Sequence, residues 1–330
     1  MYMYIYIYIY KQTSNAITQQ FTMGMSTTKF TSNPNIGYYK PIWNGKCLIL
    51  ESNEAGAINL VPVSLSLILI PCLIWTWVIP FNSDNNIISI VIMCVSVWGL
   101  VINAVHKLFV CYTTEPGIIP FKEVDAPLEE GITETYKKRV LIVDGEEVEL
   151  KSKRAKICRQ TNTAIEKFDH YCPWTGNAIG RRNYPYFFGF VCSTTLLSLI
   201  VFVTSVMCIF GQTGAKGGFT RYMESNTYIV TVQVIVSIYA IILFLTLVGL
   251  TTYHINLVCR NITTNEDLKG AYSLNKINEH DQGMLKNINS ILFSPTPPSK
   301  VKKGNNNNNM TNPLMNNASV KKGYDMSAES

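Results

Sequence analysis

The sequence predicts an all-α membrane protein, with four transmembrane helices and a cytosolic catalytic loop between spans 2 and 3. Three observations predict it. Apolar residues, 47% of the 330, gather into four blocks. No Asp, Glu, Lys or Arg lies inside any block, and basic residues concentrate in the central connection and the C-terminal part. The blocks are residues 57–79, 87–104, 187–210 and 228–258. Each meets the roughly 20 apolar residues, at about 1.5 Å of rise apiece, that cross a hydrocarbon core of about 30 Å. Buried helices of a large soluble protein would show polar faces at helical spacing, and these blocks do not.

The first block follows a polar lead-in, residues 1–56. Its opening MYMYIYIYIY alternates at period two but has neither a basic region before it nor a small-residue cleavage site after it, so it does not read as a secretory signal. Residues 57–111 hold the first two helices. The third span should start at the interfacial aromatics Tyr184 or Tyr186. The fourth block exceeds the membrane requirement, so its end, 251–258, should project beyond the bilayer as helix. Residues 187–258 thus hold helices three and four, 259–294 a C-terminal element, and 295–330, rich in Pro, Lys and Asn, a disordered tail.

Orientation follows from the basic residues. The short connection 80–86 has none, and 211–227 has only Lys216 and Arg221. Residues 112–186 carry Lys137, Lys138, Arg139, Lys151, Lys153, Arg154, Lys156, Arg181 and Arg182. The central loop and both termini are therefore expected in the cytosol. The formal net charge of +6 suits anionic lipid headgroups. No helix-turn-helix or single-strand-binding pattern appears, so nucleic acid is not implied. The nine cysteines never fall at C-x-x-C spacing, and on the reducing side a disulfide framework is not expected. Within the central loop, Asp144-Gly145 between alternating apolar positions is a hairpin signal.

The chemistry sits in Phe168-Asp169-His170-Tyr171-Cys172-Pro173-Trp174. A cysteine attacks as its thiolate, and an unperturbed thiol near pKa 8.5 is only about a few per cent ionised at neutral pH. An imidazole can take the proton, and a carboxylate on its other nitrogen fixes the tautomer and stabilises the imidazolium. Cys172, His170 and Asp169 supply those types within four residues, and Pro173 stiffens the turn. Isolated, Asp-His-x-Cys arises by chance, and most loop cysteines are inert.

The context adds to it. Residues 165–190, IEKFDHYCPWTGNAIGRRNYPYFFGF, resemble the core of the zinc-finger DHHC protein S-acyltransferases, the palmitoyltransferases. Glu115-Pro116-Gly117 after the second span is similar to that family's Asp-Pro-Gly motif. Thr263-Thr264-Asn265-Glu266 after the fourth matches its Thr-Thr-x-Glu motif, and residues 278–287 look like its C-terminal Asn/Gly/Asn element. The resemblance implies an enzyme that takes a fatty acyl group from acyl-CoA onto Cys172 and passes it to a cysteine of a membrane-associated protein. It implies His170 as base and Asp169 as its orienting acid, with Trp174 packing over the thioester and Arg181 and Arg182 placed for the phosphates of coenzyme A. Such chemistry belongs at a bilayer. About fourteen methylenes at ~0.8 kcal/mol each give a chain ~11 kcal/mol of membrane partitioning that a soluble site would have to overcome. Asn177, Gly180 and Asn183 are expected to shape the turn and cap the third helix, and His254 is expected to be a hydrogen-bonded structural histidine.

One departure matters. The family's central segment carries two zinc sites, and the positions aligned with their ligands hold Asp144, Glu147, Ile157, Thr161, Ala164, Tyr171 and Ala178, leaving only Cys158. One cysteine cannot make a tetrahedral zinc site, so zinc is expected to be absent. The rival reading is a catalytically inactive membrane adaptor that binds acylation substrates or partner transferases. A small transporter is disfavoured because only His254 interrupts the apolar spans with an ionisable group.

Overall fold

A computed structural model describes residues 37–42, 47–50, 57–82, 87–127, 135–143, 146–148, 154–215, 219–272 and 277–301. Four helices dominate: α1 (Val61–Asn82), α2 (Ile87–Thr113), α3 (Tyr184–Ala215) and α4 (Phe219–Arg260). Each contains a stretch long and apolar enough to cross a membrane. The α1 start is set locally, because the Asn59 side-chain oxygen accepts from the Val61 amide at 3.0 Å and Pro62 falls in the first turn, where no amide partner is needed.

The helices are apolar outside as well as inside, the inverse of a soluble bundle. Ile70, Ile92, Val95, Ile102, Ile242 and Leu245 are all exposed. Such a face requires lipid. α3 is the central helix: half of its spanning window is buried, against 17–28% for the other three. Polar side chains tie the bundle where small residues bring helices together. Trp75 Nε1 donates to Thr204 Oγ1 at 3.1 Å, Asn103 Nδ2 to Ser193 Oγ at 2.8 Å, and Thr195 and Thr251 share a hydroxyl bond of 2.8 Å.

The segment between α2 and α3 is built from short strands, so helicity describes the spans and not this module. Strand β3 (Ile118–Ile119) pairs with β8 (Thr163–Ile165), which pairs with β7 (Lys156–Cys158). β9 (His170–Cys172) and β10 (Asn177–Ile179) form an antiparallel hairpin with Cys172 opposite Asn177, Tyr171 opposite Ala178 and His170 opposite Ile179. β4 (Phe121–Pro127), β5 (Thr135–Val143) and β6 (Glu146–Val148) form a separate antiparallel sheet. Val143 pairs with Glu146, as a two-residue hairpin requires, while Asp144 and Gly145 themselves lie outside the described residues.

Two segments depart from the sequence expectation. Within the expected loose lead-in, β1 (Tyr39–Ile42) pairs with β2 (Cys47–Leu50), burying Tyr39, Leu48 and Leu50 against the module. Within the expected disordered tail, residues 295–301 lie on the same module. The Pro297 carbonyl accepts from Arg182 Nε at 2.8 Å, and Val301 packs beside Tyr38 and Phe168. After α4, the Thr263 hydroxyl accepts from the Glu266 amide and the Glu266 carboxylate from the Thr263 amide, a reciprocal cap that starts α5 (Thr264–Leu268). α6 (Met284–Ile288) then returns the chain against α4.

Candidate active site

The β9–β10 hairpin brings the catalytic side chains expected from the sequence together. A turn of 3₁₀ helix, Pro173–Thr175, closes it, and Gly176 exits at φ 59°, in the left-handed region. A Cβ there would lie 2.7 Å from Asn59 Oδ1, so this turn is pressed against the start of α1 and needs glycine twice over. The Leu60 amide donates to the Pro173 carbonyl at 2.8 Å and Ser64 Oγ to the Trp174 carbonyl at 2.8 Å, which pins the turn to α1.

Asp169 is fully buried and saturated. Its Oδ1 accepts from the Thr264 amide at 2.8 Å, and its Oδ2 accepts from Thr264 Oγ1 at 2.7 Å and bonds His170 Nδ1 at 2.7 Å. Burial works against its charge, yet the His170 and Thr264 bonds keep its carboxyl below the usual range. With Nδ1 committed to Asp169, the other ring nitrogen of His170 is left to hydrogen-bond Cys172. Burial disfavours the charged ring, but the bonds to Asp169 and Cys172 outweigh it and raise His170 to about 10. The same contact acts in reverse on the thiol: burial pushes Cys172 up, and His170 and Thr175 bring it below its ordinary value. The resting state this favours is a thiolate–imidazolium pair. The sequence alone suggested a neutral thiol waiting for a base.

Aromatic packing fixes the imidazole in place. Phe187 on α3 meets His170 edge-on, with centroids 5.0 Å apart, and meets His254 in the same way at 5.0 Å. His254 is buried, bonds the Tyr184 hydroxyl through Nδ1 at 3.1 Å and lies 6.0 Å from His170, so it is a hydrogen-bonded wall of the site.

Asn177 is the hub behind Cys172. Its Nδ2 donates to the carbonyls of Cys111, Tyr112 and Thr114 at 3.0–3.2 Å, and its Oδ1 accepts from Tyr39 Oη at 2.7 Å. Asn183 braces the hairpin, accepting from the Gly180 amide at 2.9 Å and donating to the Ala178 carbonyl at 2.8 Å. Those bonds use its side chain in the turn and not on the first amides of α3, a correction to its expected cap. Glu115 accepts from the Gly117 and Ile118 amides at 2.9 and 2.7 Å and pairs with Arg182.

Trp174, 45% exposed, stands out from the turn that follows Cys172. The two arginines differ. Arg182 is turned inward onto Glu115 and the Pro297 carbonyl, whereas Arg181 pairs with Glu166 while its side chain stays 48% exposed. A narrow apolar recess of about 20 Å³ lies between α1, α3 and α4, lined by Leu67, Pro71, Leu197, Val201, Tyr239 and Leu243. It opens one helical turn beyond Ser64, the residue tied to Trp174.

The residues at the family's zinc positions do not fit zinc. Ala164 and Ala178 are fully buried and offer no donor atom. Thr161 Oγ1 bonds Thr163 Oγ1 at 2.7 Å, the Tyr171 hydroxyl donates to the Ile58 carbonyl at 2.9 Å, and the Cys158 thiol donates to Gln160 at 3.4 Å. Among the described residues, no three of His, Cys, Asp or Glu gather as a metal set; Asp144 lies outside them.

Sequence reasoning missed the roles of Thr264, Phe187 and Tyr39. Thr264 had a signal, the Thr-Thr-x-Glu motif, but nothing in that motif names Asp169 as its partner.

Residues 147–271 match the family model described as DHHC palmitoyltransferase. The chain is 38% identical over 148 residues to "Probable protein S-acyltransferase 3" of Arabidopsis thaliana, covering 45% of this chain and 34% of that protein. It is 28% identical over 288 residues to palmitoyltransferase ZDHHC18-B of Danio rerio, covering 77% and 70%. It is 36% identical over 149 residues to palmitoyltransferase ZDHHC9 of Bos taurus, covering 44% and 40%. The chain spans 34% and 51% of the length of two Arabidopsis relatives.

Proposed function

We propose that this chain, which carries a DHHC palmitoyltransferase domain, is a membrane protein-cysteine S-acyltransferase working through an acyl-Cys172 intermediate. The observation that carries the proposal is the bond path Thr264–Asp169–His170, which fixes an imidazole two residues from Cys172 on the same strand.

The chemistry follows from that path. Cys172 Sγ attacks the thioester carbonyl carbon of a fatty acyl-CoA, forming a new C–S bond. The bond to the coenzyme sulfur breaks, and that sulfur leaves with the proton from the His170 imidazolium. His170 then takes the proton of an incoming substrate cysteine, whose sulfur attacks acyl-Cys172. The acyl group moves to the substrate, and Cys172 departs as thiolate to rejoin the recharged imidazolium. Asp169 holds the ring and balances its charge throughout. The lowering of the Cys172 pKa favours attack as the thiolate, with His170 holding the proton.

Positions support the substrate reading. The acyl chain runs toward the apolar face of α1 beside Ser64, which holds the Trp174 carbonyl, and Trp174 borders the thioester. Arg181, with its exposed side chain, is better placed than Arg182 to meet the phosphates of coenzyme A. The protein is integral to a membrane, with the module and both termini in the cytosol, where acyl-CoA and cysteines of membrane-associated proteins meet. The loop works without zinc, and acyl-CoA is a substrate and not a resident cofactor.

The test is autoacylation. Purified protein incubated with labelled acyl-CoA should acquire hydroxylamine-sensitive label. Its absence, with the fold intact, would leave the adaptor reading in possession.

A further inference from the structure

We propose that the β1–β2 hairpin is a clamp that takes the structural place of the metal, so that apolar packing by Tyr39, Leu48, Leu50 and Ala57 fixes strands β7–β10. The inference takes the family relationship as given and does not rest on catalysis.

Thr161, Tyr171 and Cys158, at zinc positions, spend their polar atoms on protein partners, and apolar side chains from the N-terminal side pack around them. Tyr39, Leu48, Leu50 and Ala57 form one buried cluster with Cys158, Ile165, Tyr171 and Ala178. These last four come from strands β7 to β10, so the cluster crosses the whole catalytic unit. Polar bonds register the clamp. The Tyr38 amide donates to the Thr161 carbonyl at 3.0 Å, and the Tyr171 hydroxyl, at a position where the family places a histidine, donates to Ile58 at 2.9 Å. Gly37, at φ +58°, lies so close that a Cβ would sit 2.2 Å from the Thr161 carbonyl oxygen. The incoming chain is thus pressed directly onto the β7–β8 turn. Tyr39 Oη then reaches Asn177, the residue paired with Cys172 across the hairpin.

A zinc ion cross-links a loop by coordinating its own side chains. Here the cross-link is a separate strand pair delivered from upstream in the chain, and its strength is that of buried apolar surface. Two consequences follow: order in residues 156–179 is insensitive to chelators, and it depends on side chains more than a hundred positions upstream.

The experiment is amide hydrogen exchange on the detergent-purified full chain, with and without a zinc chelator, alongside elemental analysis. Leu48→Ala combined with Leu50→Ala should raise exchange in residues 156–179 by at least ~30-fold, the factor that loss of one buried leucine side chain corresponds to. Amides in the middle of α2 and α3 should keep their protection. Tyr39→Phe, which keeps the ring, should raise exchange by a few-fold around Asn177 only. It carries the decision if the double variant does not survive purification. Unchanged exchange in these variants would overturn the clamp, as would one or two zinc ions per chain with protection lost on chelation. No acyl transfer enters the readout, so a protein that fails to autoacylate sinks the enzymatic reading and leaves this one standing, and the converse holds.

Discussion

Cys158 and Cys172 lie on strands of the same small module, and both are buried, yet their thiols are driven in opposite directions. Cys158 sits among Tyr39, Leu48, Ile118 and Ile165, and burial raises its pKa against weak opposition from Thr161 and Gln160. Cys172 feels the same penalty, but the bond from His170 reverses it. Burial by itself silences a thiol. Burial beside an oriented imidazolium makes a nucleophile, because low polarity strengthens the one charge pair it leaves in place. One part of the module thus buries its thiol in an apolar cluster and the other sets its thiol beside His170, and Tyr171, between His170 and Cys172 in sequence, sends its hydroxyl to the Ile58 carbonyl.

The largest expected effect tests the contrast directly. Cys172→Ser should abolish hydroxylamine-sensitive label, while Cys158→Ser should keep most of it. Equal loss in the two, measured on protein of equal thermal stability, would erase the distinction. Next, His170→Ala should slow acyl-enzyme formation by ~10²–10⁴-fold, the usual contribution of a positioned acid–base group. Rates like the wild type at neutral pH would remove His170 from the mechanism.

The pH dependence sharpens the same point. Because the Cys172 pKa is lowered, its thiolate persists as pH falls below the ordinary thiol value and is lost only when pH passes below the shifted one. Because the His170 pKa is raised to about 10, the imidazolium persists until pH rises through that value. The pH profile for alkylation of Cys172 by iodoacetamide should therefore lie below that of an ordinary thiol, and His170→Ala should move it upward. A Cys172 profile that already titrates near 8.5 in the wild type would refute the ion pair. Asp169→Asn should cost at least ~10-fold and less than His170→Ala, because an imidazole remains but loses the charge that orients it. Thr264→Val should cost least, up to roughly tenfold, since one bond to a charged acceptor is lost while the Thr264 amide still donates to Asp169. A Thr264→Val rate below that of Asp169→Asn would show that the threonine acts beyond the carboxylate.

What could be read from the sequence divides along physical lines. The spans were legible because a bilayer demands uninterrupted apolar runs, and α3 begins at Tyr184, one of the two aromatics proposed for its start. Asp169, His170 and Cys172 were legible because they adjoin one another in the chain. Thr264 was not legible as a partner of Asp169, because 95 residues separate them and only the packing of α4 against α3 joins them. Tyr39 was hidden further. It lies 138 positions from Asn177, and although Asn44-Gly45 between apolar runs is a hairpin signal, nothing in those residues names Asn177 as a partner. The inward turn of Arg182 was equally invisible, since its charge reads the same whether it faces solvent or Glu115.

The bond between Thr264 and Asp169 also sets a schedule for biosynthesis. During translation, Cys172 and His170 leave the ribosome while α4 and the cap that follows it are still unmade. Until residue 264 emerges, Asp169 lacks two of its three hydrogen-bond donors and keeps only the bond to His170. The carboxylate of a half-made chain then holds His170 without being held itself, while the membrane segments are still being inserted. A polypeptide stopped at residue 262 should alkylate Cys172 more slowly than the complete chain, and by more than Thr264→Val does, because the Thr264 amide is then missing as well.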